Sequence, residues 1–299
     1  MKRWTRGQLA GGLAGMLMLM SGGHAHASLV GRDADGNAAN GYEAYYDTVL
    51  DITWLADANL AYTTGVAAAE QGRMSWLDTT AWIDQTVNAA GLYGVSTWRL
   101  PSYAPVDGTS YQLDSSVTPT AYFDGTIDYG INNASTSSEL GYMYYVNLGL
   151  LAWADTTGTA TTGGYGFDSP GVTLDNEVTG GYYNTVQLAD VTVGAVTFSQ
   201  VAVHGGLWTG ATVTNDPYWG SGQSAFYLTA DNGQIDLDAV SYDPNGFDTR
   251  QAAWLVTDGD PFSVSAVPEP ASGVLMAAGA GLFAVRARRM KKGAASQRP

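Results

Sequence analysis

The C-terminal end of this chain most limits its fold, because it separates the residues that can form a core from those that cannot. An apolar run at 271–285 is followed at once by a basic tail at 286–299. Fifteen helical residues span about 22 Å at about 1.5 Å each, which falls short of a bilayer core of about 30 Å. The sequence therefore predicts a short transmembrane helix that acts as a temporary anchor. The alternative, a buried C-terminal helix of a globular body, is disfavoured by the cations beside it.

The orientation of this segment follows from its charges. Five cations come directly after the apolar run: Arg286, Arg288, Arg289, Lys291 and Lys292. Positive charge beside a membrane-spanning helix stays on the cytoplasmic side. All residues before the run are therefore expected outside the inner membrane during transit.

A short proline-containing motif precedes the apolar run. It consists of Val267, Pro268, Glu269 and Pro270. The motif, the apolar run and the basic tail, in this order, resemble the PEP-CTERM sorting signal of bacterial exosortase substrates. This resemblance implies that an exosortase-type enzyme processes the chain near the motif. It also implies delivery to the cell surface or the extracellular matrix.

The N-terminus has the three parts of a secretory signal peptide. They are a basic stretch with Lys2, Arg3 and Arg6, an apolar stretch at 9–20, and an Ala25-His26-Ala27 cleavage site. The predicted organisation is a signal peptide at 1–27, an extracellular body at 28–262 and a sorting region at 263–299. The chain has no cysteine, so disulfides and a lipoprotein anchor are excluded.

The body is strongly acidic. All 28 acidic residues of the chain lie between Ser28 and Pro270, where the only cations are Arg32, Arg73, Arg99 and Arg250. Such a surface repels nucleic acids and anionic lipids, so nucleic acid is excluded as a partner. The charge favours solubility, divalent cations, or neutral or cationic polymers.

Local patterns predict an α+β body that is rich in loops, with a mainly antiparallel sheet and two helices. The helices are predicted to start at capping boxes, 75–78 and 136–139, and to end at Gly91 and Gly149. Strands are predicted at 45–55, 191–201, 226–230, 235–237 and 252–256. Asp231-Asn232-Gly233 is expected to form a hairpin turn, with Asp236 and Asp238 on the outward face of the hairpin.

Four stretches of the body resemble a known domain family. The stretches at 46–59, 72–76, 98–101 and 138–140 are similar to exported bacterial proteins with the Lcl-type C-terminal domain, which also ends collagen-like bacterial adhesins. The resemblance implies a C-type-lectin-like fold, which is shared with formylglycine-generating enzymes. Those enzymes use cysteines, which this chain lacks, so their activity is not carried over. The later stretches at 206–210 and 254–260 match the family pattern only loosely.

Trp98-Arg99-Leu100-Pro101 is the most informative local motif. Trp98 and Leu100 alternate with Arg99, so the segment can close a strand while both apolar side chains point inward. Arg99 can bind a carboxylate with a bidentate fork. Its candidate partners, taken from neighbouring family motifs, are Glu139, Asp258 and Asp260. This motif and Glu139 are predicted to be structural rather than to contact a substrate.

Calcium is the one metal that the sequence suggests. Asp33, Asp35 and Asn37 alternate as oxygen donors around the turn residue Gly36, and hard cations prefer such ligands. The remaining positions of an EF-hand loop do not follow. A simple turn is the alternative interpretation of this stretch. No other cofactor is expected.

The sequence favours a binding or structural role over catalysis. His204 is the sole histidine after the signal peptide, no cysteine is present, and no Gly-x-Ser-x-Gly elbow occurs. The predicted function is that of a non-enzymatic exported protein associated with exopolysaccharide, in which exposed aromatic and polar side chains contact sugar units. Two alternatives stay open: a matrix polysaccharide hydrolase that uses a carboxylate pair about 5–9.5 Å apart, and a matrix component without a ligand.

Overall fold

The structure is a computed structural model that describes residues 29–37, 39–178, 187–214, 222–241 and 249–263. The predicted signal peptide, the sorting motif at 267–270, the apolar run at 271–285 and the basic tail lie outside these residues. Within the described ranges, no helix has both the length and the apolar character needed to cross a bilayer.

Antiparallel sheets dominate the body. The described residues contain ten strands: β1 (Leu29–Arg32), β2 (Ala44–Asp47), β3 (Ile52–Leu55), β4 (Val172–Val178), β5 (Gln187–Val193), β6 (Val196–His204), β7 (Gly206–Thr214), β8 (Gln223–Thr229), β9 (Ile235–Ala239) and β10 (Val256–Asp258). They form three sheets with the strand orders β1-β2-β3-β10, β4-β5-β6 and β7-β8-β9. With a few helices beside them, these sheets confirm the α+β class and its mainly antiparallel character.

The first sheet joins the two ends of the described chain. The segment predicted at 45–55 forms the β2–β3 hairpin, and Asp47 closes its turn by accepting the backbone N–H groups of Val49 and Leu50. β10 then pairs with β3, with Val256 opposite Trp54. The chain therefore leaves the body beside the strands with which it began.

The second and third sheets are built from hairpins. The predicted 191–201 segment forms β5 and β6, and its alternating apolar side chains Val191, Phe198 and Val201 are fully buried. β8 and β9 pair as expected, with Leu228 opposite Ile235. Gly233 has a φ of 76° in their turn and donates its N–H to Thr229, which suits glycine.

Two details of the strand predictions were wrong. Asp238 does not lie on an outward face: it is 6% exposed and accepts a hydrogen bond from Gln251 Nε2 at 3.1 Å. The cause is tertiary, because the segment at 249–251 returns over this face of β9. The last strand begins at Val256 rather than at Ala252, although 252–255 are all buried.

The helices are short. They are α1 (Leu60–Thr63), α2 (Trp76–Trp82) and α3 (Glu139–Tyr142), with π-helical extensions of α2 at Ile83–Asn88 and of α3 at Met143–Asn147, and 3-10 turns at Ala68–Glu70 and Leu92–Gly94. The two predicted helices correspond to α2 and α3 with their extensions. α1 had not been predicted.

The two helix starts differ from each other. Ser75 caps α2 as predicted, since its Oγ accepts the Asp78 N–H at 3.1 Å and donates to the Asp78 carboxylate at 2.7 Å. The box predicted at 136–139 was wrong, because α3 is capped by Ser138, whose Oγ accepts the Gly141 N–H. Glu139 is thus the first residue of α3. Its carboxylate does not take part in capping the helix and can bind a more distant residue.

One hydrophobic cluster holds the three sheets together, and aromatic side chains dominate it. The rings of Trp54 and Trp254 lie 5.2 Å apart, and those of Phe198 and Trp254 lie 4.7 Å apart. Trp254 Nε1 donates to the Leu55 carbonyl at 2.9 Å, so its polar atom is satisfied inside the core. Phe226 of β8 belongs to the same cluster. Stability without disulfides therefore rests on these buried rings.

Candidate functional site

The motif at 98–101 lies where the first sheet meets the helices. Arg99 exchanges both backbone hydrogen bonds with Val256 of β10, at 2.8 and 2.9 Å. Trp98 and Leu100 are 1% and 4% exposed, and Pro101 is also buried. The alternation read from the sequence thus matches the inward position of both apolar side chains.

The Arg99 guanidinium lies between two carboxylates. Nη1 and Nη2 donate to the two oxygens of Glu139 at 2.8 and 2.9 Å, and Nε donates to Asp258 at 3.0 Å. Glu139 also accepts the Ser102 N–H at 2.6 Å. Desolvation acts to lower the pKa of Arg99, but the hydrogen bonds and charges of Glu139 and Asp258 outweigh it and raise this pKa. Arg99 is therefore permanently charged and neutralised by its partners.

The third candidate partner of Arg99 has another role. The Asp260 carboxylate binds Arg32 instead, with Arg32 Nε donating to Oδ1 at 2.8 Å. This ion pair ties β1 to the residues that follow β10. From the sequence, Asp258 and Asp260 are equally possible partners of Arg99. In the structure, Asp258 is the last residue of β10 and binds Arg99, whereas Asp260 lies beyond the turn at Gly259 and binds Arg32.

A cleft of about 500 Å³ opens beside Arg99, and we call it the aromatic cleft. Four aromatic side chains line it: Trp76, Trp98, Tyr103 and Tyr111. Trp98 and Tyr103 are buried, while Trp76 and Tyr111 are half-buried and present part of their rings. The floor of the cleft is therefore apolar and aromatic.

Hydrogen bonds hold these rings in place. Trp76 Nε1 donates to the carbonyl of Thr209 at 2.8 Å, which fixes α2 against β7. The hydroxyl of Tyr111 donates to the carbonyl of Tyr103 at 2.6 Å, and the two tyrosine rings stack at 5.9 Å. Burial raises the pKa of Tyr103, so its phenol stays protonated. These contacts fix the positions of the rings in the floor of the cleft.

The rim of the cleft is polar. Asp84 and Ser102 are exposed, and Thr80 and Arg99 are half-buried. Asp84 lies on the π-helical extension of α2, and exposed Gly210 of β7 forms the opposite side. An apolar floor with a few polar groups around it is typical of small-molecule binding sites.

The predicted calcium ligands lie in an exposed loop between β1 and β2. The Asn37 backbone N–H donates to Asp33 at 2.9 Å and to Asp35 at 2.7 Å. Glu43, which the sequence reasoning missed, brings a third carboxylate, and one oxygen from each acid lies within 4.8 Å of the others. Glu43 comes close because β1 and β2 pair, with Arg32 opposite Ala44. Three carboxylates would suit calcium, and this site stays a prediction.

The structure separates the predicted site residues into two groups. Trp98, Arg99, Leu100 and Glu139 lie at the aromatic cleft or directly behind it. The calcium loop belongs to another part of the first sheet. Trp76, Asp84 and Tyr111 were not predicted as site residues. Trp76 lies in the family stretch at 72–76, but no local motif marks Asp84 or Tyr111, and the three come from separate segments of the chain.

Comparison with known proteins identifies the C-terminal signal. A family model for the PEP-CTERM protein-sorting motif matches residues 266–292, which include the 267–270 motif, the apolar run and the five cations that follow it. Searches of curated proteins and of solved structures returned no match. The resemblance of the body to the Lcl-type domain stays a prediction. The sorting signal implies export, transient membrane anchoring, processing by an exosortase-type enzyme, and delivery to the cell surface or extracellular space.

Proposed function

We propose that the body of this exosortase-sorted protein is a non-catalytic matrix component that binds exopolysaccharide in the aromatic cleft. The observation that carries the proposal is the combination of a half-exposed tryptophan and tyrosine, Trp76 and Tyr111, with polar groups around them. The apolar C–H faces of a sugar ring pack on aromatic rings, and its hydroxyls need hydrogen-bonding groups at the edge. The sorting signal brings this cleft to the compartment in which such polymers occur.

The charges around the cleft favour binding over hydrolysis. Glycoside hydrolases use two carboxyl groups on opposite sides of the scissile bond. Among the described residues that line the aromatic cleft, Asp84 is the only acid. The charge of Arg99 is already neutralised by Glu139 and Asp258. Arg99 can therefore help to orient a bound sugar, but it does not supply a reactive charge.

The net charge of the body limits which class of polysaccharide can bind. Four arginines face 27 carboxylates between the two signals, so anionic polysaccharides are repelled. The proposed ligand is therefore neutral or cationic. The C-type-lectin-like fold is part of the same proposal and rests on the Lcl-type motifs alone.

One observation favours the alternative of a matrix polysaccharide hydrolase. Asp168 and Asp231 both line a second cleft of about 260 Å³, and two carboxylates in one cleft are the minimum for such chemistry. Reducing-sugar release from the producer's own exopolysaccharide, lost on Asp168→Asn, would replace the binding proposal with this one.

The binding proposal is tested by filling the aromatic cleft. A Cβ added at Gly210 has its nearest contacts at 3.7 Å or more, to Leu100 and Pro101, so we expect Gly210→Leu to fold and to obstruct the opening. Gly222→Leu is the matched control, because Gly222 is an exposed glycine with open space around it. Both variants and the parent chain are titrated with neutral polysaccharides on a glycan array and by calorimetry.

The expected result is a loss of affinity of about tenfold or more for Gly210→Leu, with Gly222→Leu unchanged. Equal binding by Gly210→Leu and the parent would contradict the assignment of the cleft. Failure of the parent chain to bind any glycan would favour the matrix component without a ligand.

A further inference from the structure

The second cleft carries an inference that does not depend on the aromatic cleft. We propose that it binds a protonated amine, carried either by an amino-sugar unit or by a free polyamine. Asp168 and Asp231 line the cleft together with His204 and Tyr165. These residues come from the loop at 161–168, the end of β6 and the turn after β8, so tertiary packing alone assembles the site.

The close approach of the two acidic segments depends on glycines. Gly166 has a φ of 59°, and a Cβ there would lie 2.3 Å from the Asp231 carbonyl oxygen. Gly164 has a φ of 108°, and a Cβ there would lie 2.2 Å from the Asp168 carbonyl oxygen. Both positions therefore need glycine, for the backbone conformation and for space. The loop is thus packed tightly against the turn that carries Asp231.

Asp231 has an acceptor atom that no described residue satisfies. Its Oδ1 is buried and has no hydrogen-bond partner within the part of the chain that the structure describes. A buried carboxylate oxygen without a donor is unfavourable, and a cation held in the cleft beside Asp231 would reduce that cost electrostatically. Burial raises the pKa of Asp231, as expected for an ionised group with too few partners, although the charge of nearby His204 acts to lower this pKa.

No fixed positive charge reaches this cleft from the described residues that line it. Each arginine of the body forms an ion pair elsewhere: Arg32 with Asp260, Arg99 with Glu139 and Asp258, and both Arg73 and Arg250 with Glu70. Asp168 and Asp231 therefore bring two acidic side chains to a cleft that no arginine neutralises. A cation is the complementary ligand.

The aromatic ring at the edge of the cleft suits the same ligand. Tyr165 is 44% exposed, and it lines the cleft with the buried ring of Phe167. An ammonium group held near an aromatic face gains a cation–π attraction in addition to its hydrogen bonds. An amine on a sugar ring would use the carboxylates for its charge and Tyr165 for its apolar face.

The test is a calorimetric titration of the full chain in mild detergent with three probes. They are a glucosamine oligomer, the matching N-acetylglucosamine oligomer, which lacks the charge, and a simple diamine. Asp231→Asn and Asp168→Asn each remove one cleft carboxylate. Asp175→Asn is the matched control, because it removes an exposed charge beside cleft residue Leu174 without lining the cleft itself. Tyr165→Ala changes an exposed side chain and guards against loss of folding.

We expect the glucosamine oligomer to bind at least about tenfold more tightly than its acetylated counterpart. Asp231→Asn and Asp168→Asn should each weaken binding by about tenfold, Tyr165→Ala by a few-fold, and Asp175→Asn by less than about twofold. Tighter binding of the oligomer than of the diamine places the amine on a sugar, the reverse places it on a free polyamine, and both support the site. Equal affinity for the charged and acetylated oligomers, or an equal loss in Asp175→Asn, would overturn it. Asp231→Asn should weaken binding of the simple diamine but leave binding of neutral polysaccharides unchanged, which separates this test from that of the aromatic cleft.

Discussion

The Arg99 network offers the sharpest test of how the body is held together, and the informative change is Arg99→Lys. Lysine keeps the positive charge but cannot donate two parallel hydrogen bonds to Glu139, which now lie at 2.8 and 2.9 Å. The Glu139 side chain is only 9% exposed, so its lost partners are not replaced freely by water. Each charge-assisted hydrogen bond contributes about 1.5–3 kcal/mol, and the ammonium group recovers part of that.

We therefore expect Arg99→Lys to lower the free energy of unfolding by about 2–3 kcal/mol. For a body of this size, 1 kcal/mol changes Tm by about 2–4 °C, so the fall in Tm should be about 4–12 °C. The measurement is thermal unfolding followed by circular dichroism, with the yield of folded protein recorded beside it.

The matched control removes the exposed partner of Arg99. Asp258 has a side-chain exposure of 80%, so its ion pair is screened by solvent, and Asp258→Asn should cost less than about 1 kcal/mol. An unchanged Tm and yield for Arg99→Lys would refute the structural role of the bidentate pair. The reasoning also fails if Asp258→Asn destabilises the protein as much as Arg99→Lys does.

Three further predictions follow from the core, the calcium loop and the buried acids. Trp254→Ala should destabilise the protein by about 3–5 kcal/mol in urea unfolding, because the ring lies in the main core, whereas exposed Leu77→Ala should have little effect. Calcium should raise the Tm of the full chain, and Asp33→Ala should abolish that shift. If calcium leaves the Tm of the parent chain unchanged, there is no calcium site in this loop. Burial raises the pKa of Asp128, and hydrogen bonds from neighbouring threonines lower the pKa of Asp155, so NMR titration should find the two on opposite sides of the ordinary aspartate value. The free energy of unfolding should then fall as pH rises above about 4 and Asp128 ionises. The stabilising contribution of the Asp155 carboxylate should be lost as pH falls and this group is protonated.

Local chemistry explains the parts of the fold that the sequence predicted well. Ser75 caps α2 because serine and aspartate at that spacing satisfy each other within one turn. The hairpin turn around Gly233 follows from the same kind of short-range preference. The start of α3 was misplaced because Thr136 and Ser138 can both cap a helix; in the structure Ser138 caps α3 and Glu139 binds Arg99 instead of closing a capping box. Asp238 was misplaced because a distant segment covers its side of β9.

The sequence by itself determined where this protein goes. The sorting signal at 266–292 is one contiguous string whose charge and hydropathy act in order along the chain, so no folding is needed to read it. Only the tertiary structure decided which residues come together in the surface sites of the body. Glu43 approaches Asp33 and Asp35 through strand pairing, Asp84 and Tyr111 both line the aromatic cleft, and Asp168 and Asp231 both line the second cleft. These residues are far apart in sequence, and their proximity depends on how the sheets pack around the buried tryptophans.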